Sequence, residues 1–199
     1  KKQWNALKLF SSKGEFINEE DGIKIIKYAD KVNFSYANVD ELGTITSRDD
    51  YIEKHINKIL KLESVDKVGI QNSKFKIVVD GINSIGGVAI PKLLDSLNVE
   101  VVKINCNPNG NFAHDPEPLA ENLRGLCDAV LENNADLGIA VDPDVDRLVF
   151  VDEKGKLFSE EYTLVACADY ILSQQKGKTV SNLSSTRALS DVTKKYGES

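Results

Sequence analysis

From about Lys74 onward the chain alternates short Val- and Ile-rich runs with longer amphipathic stretches, and no other feature constrains its fold as tightly. Ile77-Val78-Val79 reads as a strand ending at Asp80, because an unbroken β-branched run suits a strand covered on both faces. The Gly-containing turn over residues 81–87 leads into a helix with Ile90, Leu93, Leu94 and Leu97 on one side and Pro91 near its start or at a kink. Residues 99–104 make a second strand, and a polar loop over 108–118 follows. The next helix places Leu119, Leu123, Leu126 and Val130 at helical spacing. Leu137–Val141 and Leu148–Val151 are the third and fourth strands. Ser159 then caps a helix whose Leu164, Val165, Ala168, Ile171 and Leu172 face inward. The expected fold is α/β, a mixed, mostly parallel sheet packed with helices.

Upstream the pattern is weaker. Residues 1 to 40 are mixed, with apolar groups such as Leu7, Leu9 and Phe10 but no long period. A helix follows, with Ser47 as N-cap, Asp49 and Asp50 placing negative charge in its first turn, and Ile52, Ile56, Ile59 and Leu60 on one face. Lys54, Lys58 and Lys61 point away from that face. No low-complexity linker or internal repeat interrupts the chain.

Charge and apolar runs exclude several classes of partner. With 25 Lys+Arg against 31 Asp+Glu, the net charge of −6 leaves no basic excess for nucleic acid or a membrane surface. Apolar runs such as Ile139-Ala140-Val141 are too short to cross a bilayer, and the first residues lack a signal-peptide apolar region. Cys106, Cys127 and Cys167 form an odd set without metal-ligand spacing, which fits free thiols in a reducing cytoplasm. The 199 residues contain no Met and begin at Lys1, so the chain is expected to be a piece of a longer protein.

The segment richest in chemistry is Asp142-Pro143-Asp144-Val145-Asp146-Arg147. In an extended chain, carboxylates at alternate positions project to one side. Such a compact cluster of negative charge at a strand end calls for a cation, and oxygen-only ligands favour Mg²⁺ or Ca²⁺. Arg147 adds a planar fork suited to a phosphate that shares the metal. The plain alternative is a solvated acidic turn between two strands. An EF-hand loop is disfavoured: Glu153 falls where its last ligand belongs, but Arg147 occupies the position that needs Gly. A phosphatase of the haloacid-dehalogenase type, with Asp142 as nucleophile, fits the strand leading into Asp142 and Asp144, yet Asp146 stands where such enzymes carry Thr or Val.

Residues 138–147 closely resemble the metal-binding loop of the α-D-phosphohexomutases, the superfamily of phosphoglucomutase, phosphomannomutase and phosphoglucosamine mutase. Other segments agree in order. Asp80-Gly81-Ile82-Asn83-Ser84-Ile85-Gly86-Gly87 is similar to the first strand-to-helix turn of the family's second domain, and His114-Asp115-Pro116-Glu117-Pro118 to its H-x-P-x-P loop. Asn5-Ala6-Leu7-Lys8 resembles the N-G-x-K segment after the phosphoserine loop, with Ala6 replacing Gly. Asn182-Leu183-Ser184-Ser185-Thr186 resembles the start of the third domain. The resemblance implies that residues 1–49 end the first domain, 50–156 form the second with the metal loop, and 157–199 open the third. The serine that becomes phosphorylated would precede Lys1, and the other missing domains would belong to the same polypeptide.

The resemblance further implies an intramolecular phosphotransferase acting on a hexose phosphate. Asp142, Asp144 and Asp146 would hold Mg²⁺, Arg147 would bind the phosphate, and Lys8 would serve as general acid/base or electrostatic partner. Without its nucleophile, the chain alone is expected not to turn over. A non-catalytic metal-binding module is the bland alternative. His114 is expected to be a hydrogen-bonded loop residue rather than a catalyst, and His55 structural. Asn83 and Ser84, with Gly86 and Gly87, could bind a phosphate at a helix N-terminus, but tight-turn geometry is the preferred reading. Trp4 is read as packing only.

Overall fold

A computed structural model describes residues 8–31 and 34–197; Trp4 and Asn5-Ala6-Leu7 lie outside the described residues. The chain divides into two compact units, Lys1–Asp49 and Asp50–Ser199.

In the first unit, a bridge between Phe10 and Phe16 stacks their rings 4.9 Å apart. A helix the apolar pattern did not anticipate follows, α1 (Glu19–Asp30). Its signals are polar: the Asn18 side chain accepts the Asp21 N–H at 2.8 Å, and Glu19, Glu20 and Asp21 sit in the first turn. None of its residues is buried. A single 3₁₀ turn, Val39–Glu41, comes next.

The second unit opens with α2 (Tyr51–Ile59), which turns Ile56 inward. Its N-cap residue is Asp50, not Ser47; Ser47 lies in irregular chain before it. A short helix, α3 (Lys67–Ser73), is capped by the Asp66 carboxylate on the Gly69 N–H. Strand β1 (Lys76–Asp80), helix α4 (Gly86–Asp95), strand β2 (Glu100–Ile104), helix α5 (Arg124–Glu132) and strand β3 (Leu137–Val141) then alternate. Strands β4 (Leu148–Val151) and β5 (Leu157–Phe158), and helices α6 (Glu160–Gln174) and α7 (Ala188–Lys195), complete the unit.

The strands form one mixed sheet in the order β2-β1-β3-β4-β5. β2, β1 and β3 are parallel, while β4 and β5 run antiparallel. Its two faces carry separate apolar cores. Ile77, Val79, Ile139 and Val141 meet Leu94 and Leu97 from the end of α4, whereas Val78, Ala140, Val149 and Val151 meet Leu126, Ala129 and Val130 of α5. Strands buried on both faces read as unbroken apolar runs, which is why β1 and β3 were legible in the sequence.

Three helical expectations change. Pro91 is buried inside α4, where its ring removes the intrahelical donor to the Gly87 carbonyl. α5 starts only at Arg124: Asn122 and Leu123 close turns onto the carbonyls of Leu119 and Ala120, and Leu119 is exposed. In α6 the buried row is Thr163, Val165 and Leu172, while Leu164 and Ile171 face solvent.

Candidate metal and phosphate site

β1 lies between β2 and β3, and the helix leaving β1 packs on the opposite face from the helix entering β3. The carboxyl ends of β1 and β3, where Asp80 pairs with Ala140, therefore border the crevice at which ligands settle in open α/β sheets. The aspartate loop leaves β3 at this point.

That loop is a tight turn, and here the extended-chain expectation is corrected. One Asp142 carboxylate oxygen accepts the main-chain N–H groups of Asp146 (2.9 Å) and Arg147 (3.1 Å), and the Val145 N–H closes onto the Asp142 carbonyl. Val145 takes a φ of 62°, a left-handed conformation that a β-branched residue adopts only under strain. The turn, rather than strand alternation, gathers the acids. Asp142, Asp144 and Asp146 each offer an oxygen, and the three lie within 4.8 Å of one another. Asp142 is buried and the other two are exposed. Burial pushes the Asp142 carboxyl up to about 6; the Arg147 N–H opposes the rise, and Asp144 and Asp146 reinforce it. A divalent cation would offset this cost, and an all-oxygen donor set fits Mg²⁺ or Ca²⁺.

The turn after β1 supports the loop. Ile82 and Asn83 both have positive φ, 47° and 54°. The Ser84 hydroxyl donates to the Pro143 carbonyl at 2.7 Å. A Cβ on Gly86 would come within 2.3 Å of the Val141 side chain, and one on Gly87 within 2.5 Å of the Cys106 backbone. These glycines let the start of α4 pass close to its neighbours, in keeping with the tight-turn reading of Asn83 and Ser84.

Asp80 is buried, only 3% exposed. Its carboxylate accepts the Ile82 N–H at 2.9 Å, the Asn105 amide at 3.0 Å and His114 Nε2 at 3.1 Å. The Asp80 hydrogen bond raises the His114 pKa above its usual value against the opposing effect of burial. His114 begins the 114–118 loop, whose Glu117 carboxylate pairs with the Arg147 guanidinium. The structure thus joins Asp142, Asp144, Asp146 and Arg147 in one loop. Lys8 belongs to the first unit and is exposed. His55 is exposed on α2. Asp80 and Glu117 fall in the family-like segments 80–87 and 114–118, but nothing in those segments tells that they pair with His114 and Arg147, 34 and 30 positions away.

Residues 49–155 match the family described as phosphoglucomutase/phosphomannomutase, alpha/beta/alpha domain II, and the chain belongs to this family. It is 31% identical over 197 residues to a probable phosphoglucosamine mutase of Methanopyrus kandleri. It is 32% identical over 197 residues to a phosphoglucomutase/phosphomannomutase of Thermococcus kodakarensis. In each case 98% of this chain aligns and spans 42% of the relative's length. A phosphoglucomutase/phosphomannomutase family protein from Burkholderia thailandensis shares the fold, with a TM-score of 0.72 at 23% identity over 92% of this chain and 38% of that one. Among the described residues, no helix is long and apolar enough to cross a membrane.

Proposed function

We propose that this chain is the metal-bearing part of a Mg²⁺-dependent phosphohexomutase that moves a phosphoryl group between C1 and C6 of a hexose phosphate. The observation that carries the reading is the gathering of three carboxylate oxygens within 4.8 Å at the strand ends of a chain of this family. In this reading residues 50–156 are the second domain, with the end of the first before it and the start of the third after it.

The reacting serine phosphate lies on a part of the polypeptide outside this chain. In the first transfer its P–O bond breaks as a sugar hydroxyl oxygen bonds to phosphorus; that hydroxyl gives its proton to a base, and the departing serine oxygen takes up a proton to leave a free serine hydroxyl. After the bisphosphate reorients, its other phosphoryl group returns to the serine. Such reactions depend on positioning and charge stabilisation more than on covalent chemistry by side chains. Mg²⁺ held by Asp142, Asp144 and Asp146 would supply Lewis-acid stabilisation of the transferring group. Arg147 binds phosphate oxygens through its fork. Lys8 takes or returns the hydroxyl proton, or stabilises charge beside it.

Two measurements test this. Calorimetry with Mg²⁺ should give saturable binding to the chain that Asp144→Asn abolishes; no binding removes the metal role. The polypeptide carrying the serine loop should interconvert hexose 1- and 6-phosphates only with Mg²⁺, and the 199-residue chain should not. A covalent-like beryllofluoride adduct on Asp142 would instead favour the phosphatase reading.

A further inference from the structure

We propose that Asp80 and His114 are a positioning pair that, through Glu117, holds the Arg147 guanidinium beside the aspartate cluster. The proposal rests on the reading of that cluster as a metal and phosphate site.

The chain of contacts begins at a buried carboxylate. Asp80 ends β1 and receives donors from Ile82, Asn105 and His114, so its position is set from three directions. The His114 ring meets an oxygen at each nitrogen: Asp80 Oδ2 at Nε2, and the Asp115 carbonyl at Nδ1, 2.8 Å away. When both ring nitrogens are protonated, His114 can donate to both oxygens and bridge β1 to its own loop as an imidazolium, a form the Asp80 hydrogen bond favours. The titratable groups that act on it are Asp80 from β1 and Asp115 from its own loop. Asp80 also acts on Cys106 after β2, whose thiol is pushed up by burial first and by that carboxylate second.

The anchored loop then presents Glu117. Pro116 and Pro118 on either side are buried, and their rings fix φ there. The Glu117 N–H donates to the Asp115 carboxylate at 3.2 Å, and the Glu117 carbonyl accepts the Asn122 amide at 2.8 Å. The Glu117 side chain engages Arg147 Nη1. Arg147 is therefore tied at two points, by its main-chain N–H to Asp142 and by its guanidinium to Glu117. One nitrogen of a five-donor fork is engaged, so the fork can be oriented and still receive an anion. Deprotonating His114 loosens the loop, then Glu117, then the orientation of Arg147.

The test uses the full chain, labelled for His and Arg side-chain NMR, with Mg²⁺ present and inorganic sulfate as the anion because it keeps its charge near neutral pH. Sulfate affinity should fall about five- to tenfold in both His114→Asn and Glu117→Gln, within the usual range of coupling between sites. Mg²⁺ affinity should stay within about twofold of wild type, since neither residue contributes to the acid cluster. In wild type, the Arg147 Nε resonance and sulfate affinity should titrate with the His114 midpoint, and both dependences should vanish in the variants. Glu117 is half-exposed, so Glu117→Gln keeps the test open should His114→Asn fail to fold. An Arg147 signal that ignores His114, or unchanged sulfate affinity in Glu117→Gln, overturns the proposal. If wild type binds neither Mg²⁺ nor sulfate, the functional reading fails. The two resonances then decide the positioning role alone: shared titration supports it and independent titration overturns it.

Discussion

The hydroxyl of Ser84, in the turn after β1, donates to the carbonyl of Pro143, in the loop after β3, at 2.7 Å. This bond crosses the crevice between two parallel strands and braces the turn on which the three acids converge. Ser84→Ala should lower stability by about 1 kcal/mol, the net worth of one hydrogen bond. It should also weaken Mg²⁺ binding, because the acids then sample more arrangements. Urea unfolding and calorimetry measure the two effects, and unchanged Mg²⁺ affinity would show that the turn needs no brace.

Gly87 tests the close approach of α4 to the segment after β2. An added methyl would lie 2.5 Å from Cys106 Cα and 2.9 Å from its carbonyl, and backbone cannot rotate aside as a side chain can. Gly87→Ala should cost roughly 1–3 kcal/mol, as overpacking typically does. A shift of the urea midpoint at constant slope reports it.

Metal and protons should compete at Asp142. Its carboxyl titrates near 6 in the folded metal-free chain, against 3.8 as the ordinary value. An acid whose folded pKa is raised favours the folded state while protonated. That contribution is complete below 3.8 and is lost as pH rises to 6. The difference in Tm between wild type and Asp142→Asn, measured without metal, should therefore shrink or change sign across this window. Mg²⁺ should reverse the loss above pH 6, by about 2.7 kcal/mol at a hundred times its Kd, and chelation should undo the gain. Tm measured with Mg²⁺ and then with EDTA checks both parts.

His114 gives a pH dependence of its own. Its pKa is raised from 6.5 by the Asp80 hydrogen bond. The stabilisation from the pair is complete below 6.5 and disappears as pH rises through the higher folded value. Tm of wild type minus that of His114→Asn should fall over that interval and level off beyond it. A flat difference would mean the pair contributes nothing through its charge.

Much of the fold was legible because its signals are local. β1 and β3 are apolar runs, α4 follows a glycine turn, and the acid triplet with Arg147 occupies six consecutive residues. Where local signals misled, the surroundings in the folded chain had decided the outcome. Asn122 turns its side chain to the Glu117 carbonyl and α5 begins late; Leu164 and Ile171 lie at helical spacing on a face that α6 leaves in solvent. α1 was missed for the opposite reason: its evidence is a cap and three acids rather than an apolar stripe.

The sequence by itself determined the alternation of strands and helices and the presence of an acid cluster, because hydrophobic period and residue type act over a few neighbouring positions. Only the tertiary structure decided that Ser84 braces Pro143, that Asp80 holds His114, and that Glu117 meets Arg147, pairs separated by 59, 34 and 30 positions. Each pairing depends on parallel strand ends meeting at one edge of the sheet. Contacts of that kind come from chain topology, which leaves no imprint on the residues beside them.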